Sequence, residues 1–261
     1  MSKSYEFCTV EKDGHLTVIT MNRPEVMNAL HYEADLELNE VFDDFRDDAD
    51  QWVAIVTGAG DRAFSAGNDL KTQARVKGRR QFPPGGFAGL SMRTDIDKPV
   101  IAAVNGLAMG GGFEMALACD IVIAADNAYF ALSEPKVGLA ALAGGIVRLP
   151  QVVGWQRAMG ILLTGRRVPA AEAAEMGFVN VVTEQGQALA VAREWAAQIL
   201  ECSPVSLRTT KTVAYSAFYG DDLDELMRRD FEAVRKLRAS NDYIEGPTAF
   251  AEKRKPVWTN S

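Results

Sequence analysis

The chain has 261 residues, a formal net charge of −7 and 48% hydrophobic residues. This length and apolar content predict a globular protein with a substantial core, built as one large domain or as one domain with a small appendage. The acidic balance argues against nucleic acid as the main partner, because phosphate binding relies on clusters of Lys and Arg. Since no run approaches the ~18 apolar residues of a membrane span, we expect a cytoplasmic protein that has no membrane partner.

The first part of the chain alternates predicted strands with one amphipathic helix. Strand-like runs at 6–10 and 16–21 flank an Asp-Gly turn, which predicts an opening hairpin. Apolar residues at helical spacing predict a helix over 31–46, and 52–57 is predicted as the next strand. Residues 71–89 carry charges, Pro-Pro and Gly-Gly with little periodicity, so we interpret them as a mobile surface segment that would cover a ligand.

A small-residue turn from Ala63 to Lys71 directly follows the third predicted strand. Such a turn presents backbone N–H groups, and Asp69 is placed to cap the next segment. Taken alone, this pattern is a weak signal that is better explained by an ordinary turn.

The most informative stretch is Lys98 to Asp120, which contains a short β-branched strand, three consecutive glycines and a predicted helix. Gly110 to Gly112 stand where the helix begins, so their N–H groups, backed by the helix dipole, suit a developing oxyanion. Glu114 lies in the first helical turn and is a candidate acid or base. Glycines also serve tight turns, and Glu is common in a first turn, so this stretch alone leaves both interpretations open.

Short strands and helices continue to alternate as far as residue 182, which predicts an α/β fold. The predicted elements of this part are strands at 121–124, 129–131 and 178–182 and helices at 145–153 and 170–176. From Gln187 onward only helices are predicted, at 188–200, 206–215 and 223–239. This change predicts a helical C-terminal region whose apolar faces pack on another subunit.

The residue types exclude several common chemistries. The chain has only two histidines and no G-x-S-x-G turn, which gives poor support for a Ser-His-Asp or Cys-His nucleophile. We find no metal-ligand spacing and no nucleotide-binding glycine loop, and the three cysteines favour a reducing compartment. Carboxylate chemistry remains, because Glu114 and Glu134 can face a common cavity and share a water. Without further context, Glu134 would more simply be a solvated turn residue before Pro135.

Three blocks of the sequence resemble the crotonase, or enoyl-CoA hydratase, superfamily: Ala63 to Leu70, Pro99 to Gly106 and Gly110 to Asp120. The blocks occur in the right order and at the right separations, and the resemblance runs from the opening hairpin to Lys253. It implies an α/β fold of the crotonase type, in which a spiral of ββα units over residues 1–200 carries the active site. It also implies a helical trimerisation region over 201–261 and assembly as a trimer or a dimer of trimers.

The resemblance implies roles for individual residues. Ala66 and Gly111 match the two positions whose N–H groups form an oxyanion hole for the thioester carbonyl of an acyl-CoA. Glu114 matches the glutamate that holds and deprotonates water, and Glu134 matches the one that handles the proton at the α-carbon. The positions implied to border CoA or the acyl group are Asn28, Ala29, Leu30, Ala66, Gly67, Asn68, Asp69, Leu70, Gly111, Leu142, Phe250 and Lys253. Because CoA is part of the substrate, no separate cofactor and no metal is implied.

The implied function is that of an enoyl-CoA hydratase, a lyase of fatty acid metabolism, because both glutamates are present. One alternative is a Δ3,Δ2-enoyl-CoA isomerase, in which one glutamate shuttles the proton. Another is a carnitinyl-CoA dehydratase, whose branch the chain resembles at 85–90, 164–167 and 244–258, although an apolar Leu142 speaks against a cationic substrate. A non-catalytic RNA- or CoA-ester-binding protein is the alternative from another class, and the acidic charge disfavours RNA.

Overall fold

The structure, a computed structural model, describes residues 4–75, 81–220 and 230–261. Its strands are β1 Cys8–Asp13, β2 Leu16–Met21, β3 Val53–Gly58, β4 Ala63–Ser65, β5 Val100–Val104, β6 Leu107–Met109, β7 Ile121–Ala125, β8 Tyr129–Ala131, β9 Val168–Pro169 and β10 Val181–Thr183. They form a six-stranded sheet in the order β1-β2-β3-β5-β7-β10 and a four-stranded sheet in the order β4-β6-β8-β9. The predicted opening hairpin is confirmed by the antiparallel pairing of β1 with β2.

The α-helices in the described residues are α1 Tyr32–Asp47, α2 Leu70–Arg75, α3 Gly111–Ala118, α4 Gly145–Val153, α5 Trp155–Thr164, α6 Ala170–Met176, α7 Ala188–Leu200, α8 Pro204–Tyr219, α9 Glu232–Ala239 and α10 Asn241–Glu252. The predicted helices 145–153, 170–176 and 188–200 are confirmed to the residue. Helices α2, α5 and α10 were missed by the sequence analysis. Of the predicted helix 223–239, residues 223–229 lie outside the described residues and α9 covers the end.

A ββα repeat connects the two sheets. Each of the strands β3, β5 and β7 of the large sheet is followed at once by a strand of the small sheet, namely β4, β6 and β8, and then by a helix. Neighbouring repeats pair in parallel, β3 with β5 and β5 with β7 in one sheet and β4 with β6 and β6 with β8 in the other. The predicted α/β spiral is therefore confirmed, and the second strands of all three repeats end side by side.

The large sheet is covered on both faces, as its continuous apolar strands require. Along β3, Ala54 and Val56 pack into the main core toward the small sheet, whereas Val53 and Ile55 pack into a second core. Helix α7 covers that second face through Ala188, Ala192 and Ala196, which are all buried. The small side chains allow the helix to lie close to the sheet.

The segment 85–91 differs from the surface segment predicted over 71–89, because these residues are buried. Two side chains of α1 hold the segment in place: Asp35 Oδ1 accepts a hydrogen bond from the N–H of Ala88, and Asn39 Oδ1 accepts one from Gly85, both at 2.9 Å. Glycine content suggested mobility, but long-range hydrogen bonds to a helix fix the backbone. Residues 76–80 of the predicted segment lie outside the described residues.

After β10 the chain is helical in its described parts, with α7 on the large sheet and α8, α9 and α10 following. The division into a core of residues 1–200 and an oligomerisation region of 201–261 stays a prediction. No helix in the described ranges is long and apolar enough to cross a membrane.

Candidate active site

Three loops meet beyond the ends of β4, β6 and β8 and carry most of the predicted site residues. Residues 66–69 follow β4, Gly110 and Gly111 follow β6, and Glu134 lies three residues beyond β8. Because these strands are parallel neighbours in one sheet, their carboxyl ends lie at the same edge. In α/β proteins this edge is the usual position of a ligand site.

A cavity of about 480 Å³ opens at this edge. Its wall includes both predicted glutamates together with Asn68 and Gly111. Most of the remaining wall is apolar and comes from segment 82–92 and from residues 139–143. A mainly apolar cavity with a few convergent polar groups is the usual form of a small-molecule site.

The N–H groups at the cavity only partly match the predicted oxyanion pair. The Ala66 N–H donates to the Met27 carbonyl at 2.9 Å, and Ala66 is absent from the cavity wall, so the structure contradicts Ala66 as a donor. No acceptor for the N–H of Asn68 or Gly111 is found among the described residues, and both residues line the cavity. The loops lie close together, since a Cβ on Gly67 would be 2.9 Å from the Gly111 nitrogen.

Glu114 is buried in the first turn of α3, with 3% of its surface exposed. Its Oε1 accepts a hydrogen bond of 2.9 Å from the N–H of Gly145 at the start of α4. Burial, aided by repulsion from Glu134, raises the pKa of Glu114 to about 7 against the lowering effects of the Gly145 N–H and of Arg148. Near neutral pH this carboxyl group can therefore both accept and release a proton.

Glu134 begins the 3₁₀ turn Glu134–Val137 and faces the same cavity. Burial raises the pKa of Glu134 as well. Its Oε2 is buried and has no hydrogen-bond partner in the described part of the chain. Because an unpaired buried carboxyl oxygen is costly, this atom is suited to a proton or a polar group of a ligand.

Asn28, Ala29 and Leu30 border the loop after β4 mainly through their backbone. The N–H of Leu30 donates to the Gly67 carbonyl at 2.8 Å, and Asp69 donates back to the Leu30 carbonyl at 2.9 Å. The Asn28 side chain is fully buried and donates to the carbonyls of Ala59 and Ala63. Asn28 therefore holds the loops together, and its side chain is not exposed to a ligand.

Of the remaining predicted positions, Leu142 lies on the cavity wall, whereas Asp69, Leu70 and Lys253 do not. Asp69 caps α2, as predicted, by accepting a hydrogen bond from the Thr72 N–H at 3.1 Å, while Leu70 is exposed on that helix. Leu142 lies at the cavity rim and is 70% exposed. Lys253 is exposed just after α10 and does not line the cavity, and the side chain of Phe250 lies outside the described residues.

The sequence analysis identified neither Ser91, which lines the cavity, nor Arg148, which contacts Ser91. Arg148 of α4 is buried, and its Nη1 donates to the Ser91 carbonyl at 2.7 Å. Ser91 is fully buried and lines the cavity. The apolar pattern of α4 gave no signal for Arg148, and Ser91 lies two residues beyond the predicted surface segment 71–89.

Comparisons with known proteins show the family to which this chain is similar. The sequence matches the family described as Enoyl-CoA hydratase/isomerase over residues 11–261. Carnitinyl-CoA dehydratase of Escherichia coli K12 is 44% identical over 252 residues, which are 95% of this chain and 96% of the relative. The carnitinyl-CoA dehydratase of Citrobacter koseri is 44% identical over 263 residues, 99% of each chain. The crystal structure of an enoyl-CoA hydratase from Mycobacterium tuberculosis superposes with a TM-score of 0.92 at 38% identity, covering 98% of this chain and 99% of that one.

Proposed function

The chain belongs to the enoyl-CoA hydratase/isomerase family, and on this premise we propose that it is an enoyl-CoA hydratase, a lyase that adds water reversibly across the 2,3 double bond of a 2-enoyl-CoA thioester. The observation that carries the proposal is the shared cavity, in which the buried Glu114 and the half-buried Glu134, both with raised pKa, face N–H groups that have no acceptor among the described residues. This combination provides both proton transfer and stabilisation of an enolate.

The N–H groups of Asn68 and Gly111 form the oxyanion hole in this proposal, with Asn68 in place of Ala66. Both bind the thioester oxygen, which becomes negative when the nucleophile attacks the β-carbon. Two donors fixed before the reaction stabilise this charge, and loss of one such donor typically costs about 3 kcal/mol of transition-state stabilisation. The positive end of the α3 dipole adds to the effect at Gly111.

Glu114 and Glu134 divide the proton transfers. Glu114 takes a proton from water as the water oxygen bonds to the β-carbon, and the double-bond electrons move onto the thioester oxygen. Glu134 delivers a proton to the α-carbon when the enolate collapses, so the product is a β-hydroxyacyl-CoA. The reverse sequence removes water.

We assign the CoA portion to the neighbourhood of the loop after β4. Support comes from the backbone of 28–30, which is hydrogen-bonded to the loop 66–69, and from Asn68 of that loop, which lines the cavity. Phe250 and Lys253 remain proposed contacts for the CoA diphosphate or adenine, contributed by a neighbouring subunit.

No cofactor beyond the CoA of the substrate enters the proposal. The free state of all three cysteines supports the proposed cytoplasmic location.

Self-association is part of the proposal, as a trimer or a dimer of trimers. Helices α4 and α5 pack against each other and expose a set of large apolar side chains, which we call the α4–α5 patch: Ile146, Val147, Trp155 and Leu163. Trp155 is 64% exposed and Leu163 is 73% exposed. Grouped apolar exposure of this kind is typical of a protein interface.

A second candidate, carnitinyl-CoA dehydratase, is favoured by the 44% identity to enzymes of that name. The exposed Leu142 offers no charge to a cationic acyl group, which disfavours this candidate. Isomerisation of a 3-enoyl-CoA uses the same oxyanion hole and a single glutamate, and it would leave one of the two cavity glutamates without a role.

The test is the loss of the conjugated enone absorbance when the purified protein meets crotonyl-CoA and a panel of longer, branched, hydroxylated and crotonobetainyl 2-enoyl-CoA thioesters. We expect rapid loss with at least one thioester and accumulation of the β-hydroxyacyl-CoA. Binding of these thioesters without any loss of absorbance would contradict hydration. A shifted double bond formed from a 3-enoyl-CoA would then identify an isomerase.

A further inference from the structure

A buried hydroxyl group on the cavity wall has no role in the proposed hydration. Ser91 is fully buried, and its Oγ has no hydrogen-bond partner in the described residues. The buried unpartnered side-chain atoms of the described chain are few, and three of them belong to residues of this cavity: Asn68 Oδ1, Ser91 Oγ and Glu134 Oε2. An unpaired buried hydroxyl is energetically unfavourable, so a ligand that pairs with it gains affinity.

The position of this hydroxyl is fixed by the surrounding structure. Arg148 holds the Ser91 carbonyl, and the Ser91 N–H donates to the Phe87 carbonyl at 3.1 Å. Asp35 and Asn39 of α1 hold the preceding residues of the segment. A Cβ on Gly86 would lie 2.7 Å from Ser91 Oγ, so glycine at that position leaves the hydroxyl its space.

The charges around Ser91 restrict the group that it can bind. The Arg148 guanidinium donates to the Ser91 carbonyl itself, which disfavours a cationic substituent beside it. Glu114 and Glu134 on the same cavity disfavour an anionic one. An alkyl group would leave the hydroxyl unpaired. A neutral substituent that forms hydrogen bonds satisfies all three conditions.

We propose that Ser91 is a specificity-determining residue that binds a neutral hydrogen-bonding substituent, such as a hydroxyl group, on the acyl chain. The preferred substrates are then 2-enoyl-CoA thioesters with a hydroxylated acyl chain, in preference to plain alkyl or cationic ones. This inference rests on the proposed function, because it takes the cavity as the acyl site.

The test measures dissociation constants of non-reacting saturated thioesters by calorimetry: hexanoyl-CoA and its 4-, 5- and 6-hydroxy derivatives. In the wild-type protein we expect at least one hydroxylated ester to bind about tenfold more tightly than hexanoyl-CoA, since tenfold corresponds to ~1.4 kcal/mol. In Ser91→Ala we expect this preference to disappear and hexanoyl-CoA to bind more tightly than it does to the wild type. An equal preference in both proteins, or none in the wild type, would overturn the proposal.

Met92→Leu is the matched control, because Met92 is the next residue and lines the same cavity without a hydroxyl group. It should change the dissociation constants of alkyl and hydroxylated esters by the same factor. We also expect Ser91→Ala to keep its melting temperature, since the hydroxyl makes no hydrogen bond to the described protein, and a marked fall would indicate a structural role instead. The two hypotheses fail separately, because hydration is judged by enone absorbance and the role of Ser91 by binding of esters that cannot react.

Discussion

At the residue scale, opposing interactions determine the pKa of Glu114. Burial and the neighbouring Glu134 favour its neutral form, whereas the N–H of Gly145 and the charge of Arg148 favour the carboxylate. The balance brings its pKa close to neutral, where a general base is most effective. Burial also raises the pKa of Glu134, opposed by a hydrogen bond from its own backbone N–H, and its Oε2 has no hydrogen-bond partner among the described residues.

Replacing either glutamate by glutamine tests the assigned roles. We expect Glu114→Gln and Glu134→Gln each to lower kcat for hydration by about 10²–10⁴, the usual contribution of a positioned acid or base. Binding of a saturated acyl-CoA should persist, because glutamine preserves shape and can still accept from the Gly145 N–H at position 114. The matched control is Glu175→Gln on the exposed side of α6, which should keep full activity. Full activity in either cavity variant would remove that residue from the mechanism.

The raised pKa of Glu114 also predicts a pH dependence of stability. The ordinary pKa of this carboxyl group is 4.5, and its pKa in the folded protein is about 7. At a pH between these two values, the folded chain keeps a proton that the unfolded chain releases. The favourable contribution of Glu114 to the free energy of unfolding is therefore complete below pH ~4.5. It falls by up to about 3 kcal/mol as the pH rises to ~7. Denaturant unfolding from pH 4.5 to 8 should show a steeper fall for the wild type than for Glu114→Gln. Parallel curves would contradict a raised pKa.

The candidate residues differ in how far the sequence could predict them. Glu114 follows from its place after three glycines, and Glu134 from the family resemblance. The role of Ala66 was implied by the family resemblance, but its N–H is bound by the Met27 carbonyl, a contact between two segments that the sequence does not show. Ser91 carries no local signal, since its burial depends on α1 and on Arg148, which are distant in the sequence.

At the element scale, the site depends on how closely the loops after β4 and β6 approach each other. Gly67 has a φ of 82°, and a Cβ there would overlap the Met109 carbonyl oxygen and lie 2.9 Å from the Gly111 nitrogen. Both loops carry a proposed oxyanion donor. Absence of a side chain at residue 67 is therefore a condition for the spacing of the two N–H groups.

Gly67→Ala should thus lower kcat/KM for hydration by at least 10²–10³, the usual cost of losing one oxyanion donor. Gly177→Ala is the matched control, because Gly177 also has a left-handed backbone with a φ of 91° but nothing lies within 4 Å of its Cβ position. Both variants should lose about 1–2 kcal/mol of unfolding free energy from the backbone change alone. Equal activity in the two variants would mean that the loop spacing does not control the oxyanion hole.

Elements whose signals are local were predicted well. Helix α6 ends at Gly177 and α7 has a continuous helix-forming sequence, and both bounds agree with the sequence prediction. Residues 85–89 of the predicted surface segment were predicted wrongly because their glycines indicate a loop, whereas hydrogen bonds to Asp35 and Asn39 of α1 hold them in the interior. Composition alone does not contain such long-range contacts.

At the scale of the whole molecule, the alternation of strands between two sheets places the site. Each ββα repeat contributes one loop at the end of its second strand, and the parallel order β4-β6-β8 brings the three loops together. The sequence predicted the repeating strands and helices and, through the family resemblance, their spiral arrangement. It could not give the pairing order itself, which depends on contacts between strands about 20 to 45 residues apart.

The α4–α5 patch leads to a prediction about assembly. A charge in the middle of an apolar interface remains unpaired when the subunits meet, so Trp155→Glu should shift the protein from an oligomer toward monomers in light scattering. Leu36→Glu is the control, because Leu36 is an exposed apolar residue, 42% accessible, on the separate helix α1. If Phe250 and Lys253 reach the CoA of a neighbouring subunit, Trp155→Glu should also raise KM for the thioester more than it lowers kcat. A Trp155→Glu protein with the mass of the wild type would place the interface elsewhere, and equal dissociation of both variants would show that the patch is not specific.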